Sequence, residues 1–256
     1  MQLNFKEYGS GNNYLLILHG FLGSLDNWQT LATEWGNAGI HVFAIDQRNH
    51  GKSPHTNTHT IAQMVEDVKE FMTQNNIPQA SILGHSMGGK VAMQFALSYA
   101  SLTHKLIVAD ISPRAYRPGT NDDVFNAIEN VDLTTAQTRK EIEQAMAVYL
   151  GDFGTRQFVM KGLDRQADGK YQWKFNITTL KKEYPNILAE VQTSTPFYGE
   201  TLFINGGNSL YIQEKDIPLI QNLFPNYKLQ TISNAGHWLH AEKPNEVFSA
   251  ILNFIQ

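Results

Sequence analysis

Gly84-His85-Ser86-Met87-Gly88 reads G-x-S-x-G. A short apolar run, Ala80-Ser81-Ile82-Leu83, precedes it, and a helix-like run from Lys90 to Tyr99 follows. A strand, a sharp turn carrying one serine, and then a helix are the context that separates a nucleophile from a chance match. The glycines flanking the serine at two residues' distance lack the Cβ atoms that would hold strand and helix apart. The serine itself is forced into a strained backbone region. Such a turn lifts the Ser86 hydroxyl over the end of a sheet. The helix N-terminus beneath it offers unpaired N–H groups to a developing oxyanion.

Working outward, Tyr14–Leu18, His41–Ile45, Lys105–Ala109, Thr201–Ile204 and Lys228–Ile232 read as further strands buried on both faces. Leu3–Tyr8 alternates weakly and reads as an edge strand, followed by the turn cluster Gly9-Ser10-Gly11-Asn12-Asn13. Helical patterns lie between these runs. One spans Trp28 to Trp35, and a second carries Ile61, Met64, Val65, Val68, Phe71 and Met72 on one face. Val91 to Leu97 is apolar almost all round, which predicts a deeply buried helix. Val247, Ile251, Leu252 and Ile255 mark the last. Strands alternating with helices predict an α/β fold with a mostly parallel sheet flanked by helices.

The alternation stops between residues 113 and 195. Helical patterns at Asp122–Ile128 and Thr135–Leu150 appear there without a convincing buried strand, and Pro113, Pro118, Gly119 and Pro196 punctuate the stretch. We read residues 1–112 and 196–256 as the core and 113–195 as an inserted helical cap. The cap is rich in aromatics. Most are expected in its own small core, and a minority at the sheet end forming an apolar slot, with Tyr116 and Trp173 as candidates.

The chain has 256 residues and a formal net charge of −4, with no basic stripe for nucleic acid. At this length roughly three quarters of the unfolded surface can be buried. The absence of cysteine excludes a disulfide framework, a cysteine-based zinc site and a thiol nucleophile. Met1–Glu7 holds no apolar segment of signal-peptide length, and no stretch approaches the ~20 apolar residues of a membrane span. A soluble, cytoplasmic protein is expected. Oligomeric state is not legible.

Serine is a poor nucleophile at its own pKa and needs a base, which in turn needs an orienting group. His237, in Asn234-Ala235-Gly236-His237-Trp238 after a predicted strand, is the favoured base, with His240 its nearest competitor. His85 and His19 read as structural, and the remaining histidines show no paired ligand spacing, so no metal is expected. The acid is harder. The loop after Thr201–Ile204 carries Asn208 where an aspartate would be looked for, and an amide cannot stabilise an imidazolium by charge. Asp110, closing the apolar run Val108-Ala109, is the preferred acid because a charge there requires a partner. Glu214 and Asp216 are alternatives that read as solvated helix-start charges. The two oxyanion donors expected are the backbone N–H groups of Met87 and Phe21. Arg48, in a polar turn, is read as a brace between loops rather than an anion site. Trp238 either walls the pocket or packs under its loop.

Serine ahead of a C-terminal histidine is the chain order of the α/β-hydrolase superfamily, which the sequence resembles over nearly its whole length. The closer resemblance is to small bacterial esterases of the YbfF type and ABHD-eleven-like hydrolases. It is carried by His19-Gly20-Phe21-Leu22-Gly23, Arg48-Asn49-His50-Gly51, Gly84 to Lys90, Trp173-Lys174-Phe175-Asn176, Gly206-Gly207-Asn208-Ser209 and Gly236 to Pro244. The resemblance implies an eight-stranded, mostly parallel sheet with a helical cap, and an acid following the sixth strand, consistent with Asp110. It also implies a cofactor-free hydrolase of small-molecule acyl esters or thioesters. Two other readings stay open: C–C bond hydrolysis or elimination on the same apparatus, and a non-catalytic ligand receptor.

Overall fold

The computed structural model describes residues 1–119, 121–193 and 195–256. Its strands are β1 (Phe5–Tyr8), β2 (Tyr14–Leu18), β3 (His41–Ile45), β4 (Ala80–His85), β5 (Thr103–Ala109), β6 (Leu163–Arg165), β7 (Tyr171–Trp173), β8 (Thr201–Gly206) and β9 (Tyr227–Ile232). Seven of them form one sheet in the order β1-β3-β2-β4-β5-β8-β9. β1 runs antiparallel to β3 and every other pair is parallel.

The unbroken apolar strands follow from two separate cores. Leu15 and Ile17 of β2 enter one, with Trp28, Trp35, Val247 and Ile251. Leu16 and Leu18 enter the other, with Val65, Phe71, Val91 and Phe95. β5 splits the same way, Leu106 and Val108 against Ile107 and Ala109. With a side-chain period of two, only a strand apolar at every position satisfies both faces. Helices α1 (Gln29–Asn37) and α10 (Pro244–Ile255) cover the first face, and α2 (Ile61–Gln74), α3 (Met87–Ser98) and α8 (Ile217–Leu223) the second. Trp28 sits in a 3₁₀ turn, Leu25–Trp28, just ahead of α1. Thr60 starts α2, its side chain accepting from the Gln63 N–H at 3.2 Å.

Three expectations are corrected. The main sheet has seven strands among the described residues, not the eight that the resemblance implied. The residues ahead of β1 do not extend it: Leu3 is buried, the Asn4 N–H donates to Ser53 Oγ at 2.8 Å, and the Met1 ammonium pairs with Asp67 and Glu70 on α2. Second, β9 is an edge strand exposed from Lys228 to Thr231, with only Ile232 buried. Third, the segment between β5 and β8 does contain strands. β6 and β7 pair as a three-residue antiparallel hairpin, too short to show a period.

That segment also holds α4 (Asp122–Glu129), α5 (Arg139–Ala147), α6 (Phe153–Lys161) and α7 (Ile177–Leu188), while α9 (Leu239–Glu242) is a single turn ahead of α10. The segment is fastened to the loop after β3. The Asn176 N–H donates to Asn49 O at 2.9 Å, Thr179 Oγ1 donates to Thr56 O at 2.9 Å, and His50 bridges to Phe175. Two of the sequence motifs, around Arg48 and around Trp173, therefore meet in space.

Candidate active site

Ser86 occupies the tip of the turn between β4 and α3 with φ 52° and ψ −117°, a costly backbone region for a residue with a Cβ. The turn holds because Ser86 N–H donates to Ala109 O at 3.0 Å, tying it to β5. A Cβ on Gly84 would lie 2.1 Å from Gly88 O, and one on Gly88 would lie 2.2 Å from Leu18 O. Both glycines are thus required by contact between β4, α3 and β2. The Ser86 hydroxyl makes no hydrogen bond among the described residues and borders two cavities.

Asp110, the first residue beyond β5, is wholly buried and also left-handed, with φ 52°. Its Oδ1 accepts the Gly206 N–H at 3.0 Å, and its Oδ2 accepts Ser209 Oγ–H at 2.5 Å and His237 Nδ1–H at 2.7 Å. Three donors converge on the one carboxylate, and the bond from Nδ1 fixes the histidine tautomer, leaving Nε2 as the acceptor. Tyr211 stacks on the His237 ring at 3.9 Å between centroids, fixing its plane. Of the alternative acids, Asp216 is not solvated: it is buried, with Oδ1 3.0 Å from Arg114 Nε and Oδ2 accepting the Gln213 N–H.

His237 and Ser86 line the same cavity, together with Phe21 and Trp238. No hydrogen bond joins the histidine to the serine, which is common before substrate draws a site together. The N–H groups of Phe21 and Met87 donate no hydrogen bond among the described residues, although both residues are buried. Both residues line the cavity that Ser86 borders, so an N–H without a partner there is free to meet an acceptor from outside. Around them, His50 Nε2 accepts the Leu22 N–H at 3.2 Å, His19 Nε2 accepts the Gln47 N–H at 3.0 Å, and His59 Nε2 lies 3.4 Å from Met87 Sδ.

These histidines are buried and neutral. Burial pulls His19 down and drives His50 well below its ordinary value, with His19 and His59 adding repulsion at His50. Burial, helped by Arg48, lowers His59 to about 3. His85 is also held well below its ordinary value, by burial first and then by His237 and His240. Its Nε2–H donates to His237 O at 2.9 Å, so the residue beside Ser86 anchors the histidine loop rather than serving as a base. His240 stacks on Trp28, and burial lowers it to about 3. Arg48 grips Asp67 through Nε at 2.5 Å and Nη2 at 2.8 Å, which makes it a brace to α2.

The pocket candidates divide. Tyr116 borders Ser86, with its hydroxyl accepting the Ser112 N–H and donating to Tyr211 O. Trp238 lines the cavity with Ser86 and His237 and stacks on Phe158 of α6 at 3.7 Å, which places it in the pocket wall. Trp173 does not join them. It stacks on Phe175 and lines a separate cavity with Asp26, Asp46 and Lys52. Sequence reasoning missed Ser209, Tyr211 and Phe158. Ser209 lay inside a quoted motif, but nothing in the chain's order revealed its target.

The sequence profile of the alpha/beta hydrolase fold matches residues 13–244. The sn-1-specific diacylglycerol lipase ABHD11 of Danio rerio is 37% identical over 94% of this chain and 78% of its own length. Esterase YbfF of Escherichia coli is 34% identical over 100% of this chain and 99% of its own length. Among solved structures, a marine microorganism esterase superposes with a TM-score of 0.95 at 41% identity, covering 99% of both chains. Fold and relatives together define a hydrolase of carboxylic esters. The chain belongs to the alpha/beta hydrolase fold family. No described helix is long and apolar enough to cross a membrane.

Proposed function

We propose that ester cleavage proceeds through an acyl-enzyme on Ser86, with His237 as base and Asp110 as its orienting acid. Ser86 Oγ bonds to the acyl carbon while its proton passes to His237 Nε2, and the carbonyl oxygen becomes an oxyanion held by the N–H groups of Phe21 and Met87. The bond from the acyl carbon to the leaving oxygen or sulfur then breaks, and the leaving group takes the proton from His237. Water adds to the acyl-enzyme, giving its proton to His237. Collapse of that adduct breaks the acyl–Oγ bond, releases the carboxylic acid, and returns the proton to Ser86.

One observation carries this reading: the fully buried Asp110 carboxylate lies 2.7 Å from His237 Nδ1. Residues 113–195 act as the cap over the site, and Tyr116 and Trp238 contact substrate, as their places beside Ser86 support. Thioesters are cleaved by the same steps as oxygen esters. A cytoplasmic location belongs to this proposal, in keeping with a chain that has no cysteine, and cell fractionation checks it. The central test is a fluorophosphonate probe followed by peptide mapping. Label on Ser86, lost in Ser86→Ala and in protein pre-incubated with a short ester, is the expected result. Folded protein that hydrolyses esters while Ser86 stays unlabelled would overturn it.

A further inference from the structure

Ser86, Phe21, Asn121 and Tyr211 are shared by two cavities. Their other walls differ. The first is bordered by Met87, Lys90, Tyr116 and Ile187. The second is bordered by His237, Trp238, Thr155 and Phe158. This inference rests on the acyl-enzyme reading and adds a direction to it.

The leaving atom must receive its proton from His237, so the arm attached to that atom belongs on the histidine's side. His237 borders only the second cavity. The acyl arm must then extend the other way, past Met87 and along α3. Lys90 stands four residues beyond Ser86, about one helical turn or ~6 Å deeper. There the chain closes over itself. The Tyr116 N–H donates to Leu188 O at 2.8 Å and the Val191 N–H donates to Pro113 O at 2.8 Å, pairing the two stretches that enter and leave the segment between β5 and β8. The buried Lys90 ammonium clamps both, donating to Arg114 O at 2.8 Å, to Leu188 O at 3.3 Å and to Ala189 O. With its donors committed to main-chain carbonyls, Lys90 forms a fixed floor and is not free to meet an anionic substrate.

We propose that the ester straddles Ser86 with its acyl arm in the slot above α3 and its alcohol or thiol arm against Phe158 and Trp238. The Lys90–Tyr116 floor then limits the acyl group to short chains, up to about hexanoyl for a slot one helical turn deep. A long fatty acyl chain does not fit without opening the clamped crossing.

Two substrate series test this: p-nitrophenyl esters from acetyl to dodecanoyl, and acetate esters of alcohols from methanol to octanol. For the wild-type protein, kcat/KM falls at least about tenfold beyond hexanoyl, the scale on which a tight apolar pocket rejects added methylenes. Ile187→Ala moves that limit to longer acyl chains and leaves the alcohol series unchanged. Phe158→Ala changes the alcohol series and leaves the acyl limit in place. Ile187→Val serves if the alanine variant does not fold, with a smaller shift in the same direction. An acyl profile flat to dodecanoyl, effects crossed between the two series, or variants that move neither would overturn the proposal. Loss of fluorophosphonate labelling at Ser86 would instead bring down the acyl-enzyme reading, so the two failures are distinct.

Discussion

Asp110 concentrates the chemistry of the site in one side chain. A left-handed, fully buried aspartate is costly to hold, and the cost is offset by three hydrogen bonds to its carboxylate. Asp110→Asn places an amide where at least one donor points and removes the charge facing the imidazolium. Its kcat is expected to fall about 10³–10⁴-fold with the fold retained, checked by steady-state kinetics beside circular dichroism. Ser209→Ala removes one charge-assisted bond and is expected to lower kcat about tenfold. Asn208→Ala, by contrast, alters an exposed residue and should leave kcat near the wild-type value. Near-wild-type turnover by Asp110→Asn would remove the aspartate from the site. At this scale the serine was legible because its motif is local. Asp110 was preferred for being a charge at the end of an apolar run, and only the fold showed which donors reach it.

The contact of β4 and α3 is the element on which the serine's position depends. Their approach leaves no volume for a methyl group at Gly84 or Gly88, where the atoms met are backbone and cannot swing aside. Gly88→Ala is expected to destabilise the protein by about 3 kcal/mol, at the upper end of overpacking costs, and to impair turnover by displacing Met87. Gly151→Ala, at an open position between α5 and α6, is the control and should change stability little. Urea denaturation of both variants measures the difference. Of the helices flanking the sheet, α1, α2, α3 and α10 were readable from the sequence pattern, whereas α8, and α6 and α7 of the inserted segment, were not. Pro185 lies inside α7, and proline removes a helix donor, so local propensity points away from a helix that tertiary packing imposes.

Across the whole molecule, several buried histidines make stability depend on pH. In the unfolded chain they take up protons near 6.5, while His59 and His240 in the folded protein do so only at about 3. Between those values the unfolded state binds more protons, so stability rises with pH through this window and falls as the solution is acidified. Each such group adds at most about 1.4 kcal/mol per pH unit, and His50 and His85 act in the same direction. The urea midpoint is therefore expected to drop steadily from pH 6.5 towards pH 4. A midpoint constant over that range would show that these rings take up protons in the folded protein just as they do in the unfolded chain.

Local pattern determined the parallel sheet, most of its flanking helices, the serine turn and the position of the histidine loop, because each depends on residues a few places apart. The strand count implied by resemblance, the exposure of β9, the hairpin of β6 and β7, and the exclusion of Trp173 from the pocket were decided by the fold. So was the meeting of Asp110, Ser209 and His237, brought from the ends of β5, β8 and β9 to within hydrogen-bond reach. A chain's order fixes which side chains exist and which face of their own element they occupy. Distances between elements far apart in sequence arise only when two cores close on one sheet.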